Sequence, residues 1–139
     1  MRVQLKRMDD GYNFEATNED GKSTYFDTTH KNGDKATVPG PMQHLLMAMG
    51  GCAGIDVVMI LDKQKQEIQD FEMIIDGERE AGKEPSLWKK AHIHFKLKGK
   101  IEPEKAERAA KLSIEKYCSV AETLRKAGAE ITFSVEVTT

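Results

Sequence analysis

Apolar and polar residues alternate along much of this chain, which is the pattern of strands that bury one face. Three short alternating segments occupy residues 2–28, and they are separated by Asp10-Gly11 and Asp20-Gly21, dipeptides that favour tight turns. Alternation returns in three later segments, residues 71–76, 88–98 and 131–137. The pattern therefore predicts six strands, of which the first three form an antiparallel meander.

One segment, Pro41–Lys65, does not alternate. Between Leu45 and Leu61 its apolar residues fall on nearly every side of a helix, and a helix of that kind is normally buried. Pro41 suits a first helical turn, where its missing N–H costs nothing. Gly50-Gly51 in the middle would each cost about 1 kcal/mol relative to Ala, so something is expected to pack closely there. The sequence predicts a central buried helix around which the rest is arranged.

Two shorter helices are predicted in the second half of the chain. The first covers residues 103–117 and has Pro103 in its first turn; Gly99 and Pro103 are expected to end the preceding strand. Ser119 and Glu122 have the spacing of a capping box, which predicts a second helix from Ser119 that ends at Gly128. The order β-β-β-α-β-β-α-α-β, with strands mostly antiparallel by their turns, predicts an α+β fold with antiparallel sheets around a long central helix. The length suits one domain, residues 1–139.

Composition narrows the classes of partner. The 21 basic and 23 acidic residues nearly balance and form no basic stripe, so nucleic acid is not an expected partner. The first residues lack the apolar run of a signal peptide. The central helix carries His44, Asp56 and Asp62, and its uncharged run is shorter than the roughly 20 residues that a bilayer requires. We expect a cytoplasmic protein that does not enter a membrane.

The central helix also bears on assembly. A helix that is apolar on every side has to be covered on every side, and six short, half-polar strands are few for that task. A symmetric dimer that packs two such helices together would cover them. A homodimer is therefore expected.

Cys52 is the first candidate for chemistry. It lies in the middle of the central helix, where helical spacing groups it with four other residues, Leu45, Met49, Asp56 and Met59. A buried free cysteine is often only a small apolar residue, and burial raises a thiol pKa. A functional Cys52 would need a positive group or a partner subunit nearby.

Cys118 is the second candidate. It directly precedes Ser119, the predicted N-cap, where the helix dipole and free N–H groups would stabilise a thiolate. A plain cysteine at a helix junction is the alternative. Two cysteines so far apart along the chain do not form a zinc site built on cysteine pairs, and only the fold decides whether they meet.

Other polar residues have simpler interpretations. Asp56 in the apolar helix is expected to have a structural partner, a backbone group or a basic residue. Gln43 and His44 lie in the first turn of the helix, and His44 is expected to face solvent. His92 and His94 share one face of a strand and could seat a metal, but without a third ligand an exposed sheet face is the favoured interpretation.

Two motifs carry a resemblance to a known family. Pro41 followed by LLMAMGGCAGIDVV, and the later EKYCSVAETL, resemble the OsmC/Ohr family of cysteine-dependent hydroperoxide reductases, and the element order matches along essentially the whole chain. The resemblance implies an OsmC-like fold and an intertwined homodimer with two sites at its interface. It also implies a role in oxidative or osmotic stress defence.

The resemblance assigns a role to each cysteine. Cys52 would attack the peroxide and become a sulfenic acid, and Cys118 would condense with it to a disulfide. A dithiol reductant, often dihydrolipoyl groups, would restore the pair, with no metal or organic cofactor. The apolar surroundings of Cys52 would suit organic hydroperoxides, including lipid hydroperoxides.

The sequence departs from the well-studied peroxidases of that family at two points. They carry Glu directly after the motif's Pro, where this chain has Met42 followed by Gln43, and we take Gln43 as the candidate supporting group for substrate or thiolate. They also use an Arg upstream of that Pro. Between Asp9 and Pro41 the basic residues here are lysines, Lys22, Lys31 and Lys35, and Arg2 and Arg7 lie in the first predicted strand, where that Arg is not expected. Two hypotheses stay open: a thiol peroxidase, and a non-catalytic redox-responsive or apolar-ligand-binding protein on the same scaffold.

Overall fold

The computed structural model describes all residues, Met1–Thr139. The chain forms two compact units, Met1–Leu45 and Leu46–Thr139. The single domain over residues 1–139 stays a prediction.

The first unit contains the predicted meander. Strands β1 (Gln4–Arg7), β2 (Phe14–Thr17) and β3 (Ser23–Phe26) pair antiparallel in the order β1-β2-β3. The turn dipeptides Asp10-Gly11 and Asp20-Gly21 fall between them, which confirms the meander.

Asp27 organises the loop that follows β3. Its carboxylate is 2 % exposed and accepts hydrogen bonds from Thr37 N at 2.9 Å, Thr28 N at 2.8 Å and His30 Nε2 at 3.2 Å. The bond from Thr37 N, with those from His30 and Thr28, lowers the pKa of Asp27 to about 2. Sequence reasoning missed this residue, because nothing distinguishes it from the other polar residues of the loop.

The long helix α1 (Pro41–Lys63) begins in the first unit and continues into the second. It ends where Lys65 adopts a left-handed conformation with φ 56° and Gln66 N donates to Leu61 O at 2.9 Å. This is the geometry of a Schellman cap, with lysine where glycine is usual.

The second unit is a three-stranded sheet with helices. Its strands are β4 (Glu67–Arg79), β5 (Trp88–Lys100) and β6 (Glu130–Thr138), in the order β4-β5-β6. Between β5 and β6 the chain forms α2 (Pro103–Leu112), a π-helical turn (Ser113–Tyr117) and α3 (Ser119–Lys126). The α+β fold class is confirmed. One pair, β5 with β6, is parallel because this helical crossover returns the chain to the same end of the sheet.

The predicted end of β5 at Gly99 is wrong. Gly99 lies within the strand at φ 142°, opposite Ile68, and a Cβ there would lie 2.1 Å from Glu67 O. The register shifts between Ile68 and Asp70, so glycine here allows a bulge rather than ending the strand.

One face of α1 forms the core with the sheet. Its fully buried residues are Met49, Ala53, Val57 and Leu61, which join residues of β5 and α2 in the same cluster. A Cβ on Gly50 would lie 2.7 Å from Ile75 Cδ1, and one on Gly54 2.6 Å from Met73 Cε. The close packing predicted for the glycine pair is therefore correct for Gly50. Nothing lies within 4 Å of a Cβ on Gly51.

The prediction that α1 is buried on every side is wrong for a single chain. Ile55 is 63 % exposed and Met59 54 %, and Met47 and Val58 are also exposed. One sheet and the crossover helices cover only one side of the helix, which leaves an apolar face open. By length and composition alone α1 could cross a membrane, but the core helix of a soluble protein passes the same test.

Candidate redox site

Cys52 lies at the middle of α1, at the edge between its buried and exposed faces. The residue is partly buried. Met49 is one turn before it and Asp56 one turn after it on the same side of the helix. Helical spacing predicted this grouping, and the structure places these residues on one continuous helix.

Cys118 is positioned by the π-helical turn. Its N–H donates to Ser113 O, five residues back, at 2.7 Å, and the residue then leaves the helix with φ −75° and ψ 101°. It is the N-cap of α3, where its Sγ accepts a hydrogen bond from Ala121 N at 3.4 Å. Turns of this kind are rare and concentrate at functional sites.

The predicted capping box is therefore wrong by one residue. Ser119 is the first helical residue rather than the cap, and Glu122 pairs with Arg125 Nη1 at 3.0 Å. The sulfur of Cys118 takes the place that the sequence pattern assigned to a serine oxygen, because both atoms can accept from a helix N–H.

The fold brings the two cysteines together. Both are free thiols, and the side chain of Cys118 interacts with that of Cys52 closely enough to raise the pKa of Cys118. The Cys118 Sγ also lies 3.9 Å from Met49 O, on the turn of α1 that precedes Cys52. The two cysteine side chains therefore meet where α1 contacts the end of the π-helical turn.

Burial decides the electrostatics of Cys118. The residue is 2 % exposed, and burial raises its pKa to about 11, against the N–H groups of Ala121 and Val120, which lower it. Hydrogen bonding with the Cys52 side chain and repulsion from its charge are smaller causes that also contribute to this raised pKa. The thiolate expected from its place at a helix N-terminus is wrong, because the loss of solvent outweighs the backbone donors.

Asp56 has the structural partner that its burial demanded. Ser113 Oγ donates to Asp56 Oδ2 at 2.9 Å, and Ser113 is fully buried. The partner is a hydroxyl rather than the expected backbone group or basic residue. Sequence reasoning missed Ser113 because the two residues lie in different helical segments, far apart along the chain.

A groove of about 570 Å³ begins beside Asp56 and follows α1 towards its C-terminus. Its walls are mainly apolar, with Met59 and Ile60 from α1, Leu112 at the end of α2, and Tyr117. Lys63 lies at its far end. The groove therefore offers an apolar surface one helical turn from Cys52.

Gln43 and His44 lie in the first unit, at the start of α1. Gln43 Oε1 accepts from Gly40 N at 2.9 Å, which is half of a capping box. His44 Nδ1 donates to Gly40 O at 2.9 Å, and its ring lies against Phe26 with the centroids 3.9 Å apart. The expectation that His44 faces solvent is wrong. A role of Gln43 towards a substrate stays a prediction.

His92 and His94 are held by hydroxyl groups of β6. His92 Nε2 lies 2.8 Å and His94 Nδ1 2.6 Å from Ser134 Oγ, and His92 Nδ1 lies 2.7 Å from Thr132 Oγ1. Both histidines are partly buried, so the freely exposed sheet face that we expected is not what the strand presents.

Comparison with known proteins identifies the family. A model of the OsmC-like protein family matches residues 32–134, a range that contains both cysteines. The chain belongs to the OsmC-like family. Protein YhfA of Escherichia coli K12 is 46 % identical over 107 residues, which cover 76 % of this chain and 77 % of that protein.

Solved structures share the OsmC-like fold. A hypothetical protein of Aquifex aeolicus VF5 is 32 % identical, with a TM-score of 0.81 over 98 % of this chain and 94 % of the other. The organic hydroperoxide resistance protein OsmC of Legionella pneumophila is 17 % identical, with a TM-score of 0.70 over 97 % of this chain and 95 % of the other. At this low identity the comparison establishes only that the two proteins share a fold.

Membership of the OsmC-like family has two consequences. It supports a stress-related redox protein. The OsmC-like fold is a soluble one, which makes α1 a core helix of that fold rather than a membrane span.

Proposed function

We propose that the protein reduces organic hydroperoxides with a redox-active cysteine pair, Cys52 and Cys118, at a dimer interface. The observation that carries the proposal is that the fold brings these two free thiols together: their side chains interact, and Cys118 Sγ lies 3.9 Å from Met49 O, on the turn of α1 before Cys52. Their exposure supports distinct roles, because Cys52 is partly exposed and Cys118 is buried. A peroxide that arrives from solvent reaches Cys52 first, so Cys52 is the nucleophile.

The proposed reaction has three balanced steps. The Cys52 thiolate attacks one oxygen of the peroxide, an S–O bond forms, the O–O bond breaks, and the alkoxide takes up a proton to leave as an alcohol. The Cys118 sulfur attacks the sulfenic sulfur, an S–S bond forms, and the hydroxyl leaves with the Cys118 proton as water. A dithiol such as a dihydrolipoyl group then supplies two electrons and two protons, restores both thiols and is itself oxidised to a disulfide.

The neutral state of Cys118 suits the second step. Its raised pKa keeps its proton in place while Cys52 reacts, and its side chain interacts with that of Cys52. When Cys52 becomes a sulfenic acid, the same proton is available for the departing hydroxyl. Cys118 therefore reacts because it is held close to the Cys52 sulfenic acid, and it does not need a low pKa.

The groove supports an apolar substrate. Met59, Ile60, Leu112 and Tyr117 bind hydrocarbon better than they bind water, and the groove begins one helical turn from Cys52. An organic hydroperoxide places its apolar body there and its peroxide group at the sulfur. Hydrogen peroxide has no apolar part and gains nothing from this surface.

A homodimer is part of the proposal. The exposed face of α1 carries Ile55, Val58 and Met59 beside Gly51, whose missing side chain leaves room for a close neighbour. Exposed apolar surface of this kind is stabilised when a second copy covers it. Cys52 lies at the margin of this face, so a second copy would shield the two thiols from solvent. Two unpaired cysteines also fit a reducing compartment, and we propose the cytoplasm.

Stoichiometric oxidation tests the function. With one equivalent of cumene hydroperoxide, the reduced protein is expected to lose two thiols and release one equivalent of cumyl alcohol, and dihydrolipoamide is expected to restore both thiols. The Cys118→Ser variant should form a Cys52 sulfenic acid that dimedone traps, whereas Cys52→Ser, its matched control, should keep its remaining thiol. Survival of both thiols in excess peroxide would exclude the function. A Cys52–Cys118 disulfide that forms only slowly in excess peroxide, and that a dithiol reverses, would indicate the redox-responsive alternative instead.

A further inference from the structure

The two cysteines lie at the ends of two short arms that are joined at both ends. One arm runs along α1 from Cys52 to Asp56, and the other runs through the π-helical turn from Ser113 to Cys118. At one pair of ends, Cys118 Sγ lies 3.9 Å from Met49 O, on the turn of α1 before Cys52, and its side chain interacts with that of Cys52. The hydrogen bond from Ser113 Oγ to Asp56 Oδ2, at 2.9 Å, joins the other pair.

Ser113 connects α1 to Cys118 directly. Its side chain contacts α1 through Asp56, and its carbonyl oxygen accepts from Cys118 N at 2.7 Å. The residue is fully buried, so without Asp56 its hydroxyl would lose its partner in a place that water does not reach. A shift of Ser113 along α1 is therefore unfavourable, and it would move Cys118 with it.

The hydrogen bond between Ser113 and Asp56 affects the register of the π-helical turn. A five-residue turn of this type carries one residue more than an α-helical turn, and it is less stable than the α-helix on either side. Successive residues of an α-helix differ by about 100° around the axis, so a change of register by one residue would turn Cys118 away from Cys52. The bond from Asp56 holds the first residue of the turn and opposes that change.

We propose that Asp56 and Ser113 are positioning residues that hold the π-helical turn in the register that sets Cys118 against Cys52, and thereby set the rate of disulfide formation. The benefit to peroxide turnover rests on the function proposed above, but the positioning itself does not. Diamide can drive the same pairing: the two thiols lose two protons and two electrons to its N=N bond, an S–S bond forms, and diamide becomes the hydrazine.

Four variants test the pair. Asp56→Leu and Ser113→Ala each remove the hydrogen bond, whereas Asp56→Asn and Ser113→Thr keep an acceptor oxygen and a donor hydroxyl. We expect disulfide formation with diamide to be about tenfold slower or more in the first two and within about twofold of the parent in the second two. The double variant Asp56→Leu/Ser113→Ala should be no slower than the slower single variant, because one shared interaction is lost. Peptide mapping identifies the disulfide as Cys52–Cys118.

A matched control separates positioning from general loss of stability. Ser86→Ala removes a comparable bond, from Ser86 Oγ to Glu80 O at 2.6 Å, in the turn between β4 and β5 and outside the two arms. Its pairing rate should equal that of the parent. A Ser113→Ala rate no lower than that of Ser86→Ala would overturn the inference. If Ser113→Ala fails to fold, equal rates for Asp56→Leu and Asp56→Asn would overturn it.

The parent protein separates this inference from the proposed function. Pairing with diamide but no reaction with cumene hydroperoxide would remove the function and leave the positioning role in place. A parent that forms no Cys52–Cys118 disulfide with diamide would remove the positioning role.

Discussion

Cys118 shows how the chemistry of a single residue can be decided by competing effects. Its sulfur accepts from Ala121 N at the start of α3, a place that favours a thiolate. Burial acts in the opposite direction and is the largest influence, so the pKa of the thiol rises instead of falling. A helix N-terminus activates a cysteine only where solvent or a cation also helps to carry the charge.

At this scale we predict the titration of Cys118. In Cys52→Ser the hydrogen bond to sulfur and the repulsion from its charge are lost, so the pKa of Cys118 should fall below that of the parent but stay above its ordinary value, because burial is unchanged. Ultraviolet absorbance of the thiolate against pH measures this, with the unfolded chain in urea as the control. An ordinary pKa in folded Cys52→Ser would show that burial is not the main cause.

The same shift has a consequence for stability. The folded-state pKa of Cys118 lies above its value in the unfolded chain, so its contribution to folding is complete at neutral pH. It is lost as the pH rises from the ordinary thiol range through the folded value of about 11, because the unfolded chain ionises first. For each protein, the free energy of unfolding at alkaline pH is compared with its own value at neutral pH. This loss of stability should begin at higher pH in Cys118→Ala than in the parent.

Among the elements, β4 and β5 show how one glycine can hold a strand pair in register. Gly99 lies at φ 142° with Glu67 O where its Cβ would be, at 2.1 Å. The obstacle is backbone, which cannot turn aside as a flexible side chain can. The bulge between Ile68 and Asp70 therefore depends on the absence of a side chain at residue 99.

We predict that Gly99→Ala lowers the free energy of unfolding by about 3 kcal/mol, from the clash together with the unfavourable φ. Gly128→Ala is the matched control, since Gly128 has φ 108° but no atom within 4 Å of the added Cβ. That variant should lose only about 1 kcal/mol. Urea unfolding of the two variants measures the difference, and equal losses would mean that the β4–β5 pair shifts to accept the methyl group.

For the whole molecule, the open face of α1 is the feature that a single chain does not explain. The helix has the composition of a buried one, yet Ile55 and Met59 are more than half exposed. A second copy on this face would give the helix the apolar surroundings that its composition suits. It would also cover the margin of the helix where Cys52 lies.

We predict a solution mass of twice 15.6 kDa for the parent and a single copy for Ile55→Asp. A carboxylate in an apolar interface is costly to desolvate, so the dissociation constant should rise by at least about 100-fold. Sedimentation equilibrium measures both masses. Leu87→Asp, at an exposed apolar residue in the β4–β5 turn, is the control and should stay dimeric. A parent that sediments as one copy would contradict the dimer.

The sequence by itself determined the elements, the fold class and the family. Alternation, turn dipeptides and helical spacing are local properties, so the meander, α1, α2, α3 and the last three strands were all predictable. The errors lay at Gly99, at the cap of α3, in the length of β4, which extends beyond the predicted residues 71–76, and in the helix predicted over residues 103–117, which becomes a π-helical turn after Leu112. The two cysteine motifs identified the family because they combine residue types in a local order.

Only the tertiary structure decided how distant segments meet. The contact of Cys118 with Cys52, the bond from Ser113 to Asp56 and the parallel pairing of β6 all join residues far apart along the chain. The sign of the Cys118 pKa shift was decided in the same way, because it depends on how deeply the residue is buried. A pattern of neighbouring residues shows which face of an element is apolar, but the packing of the whole chain determines which atoms cover that face.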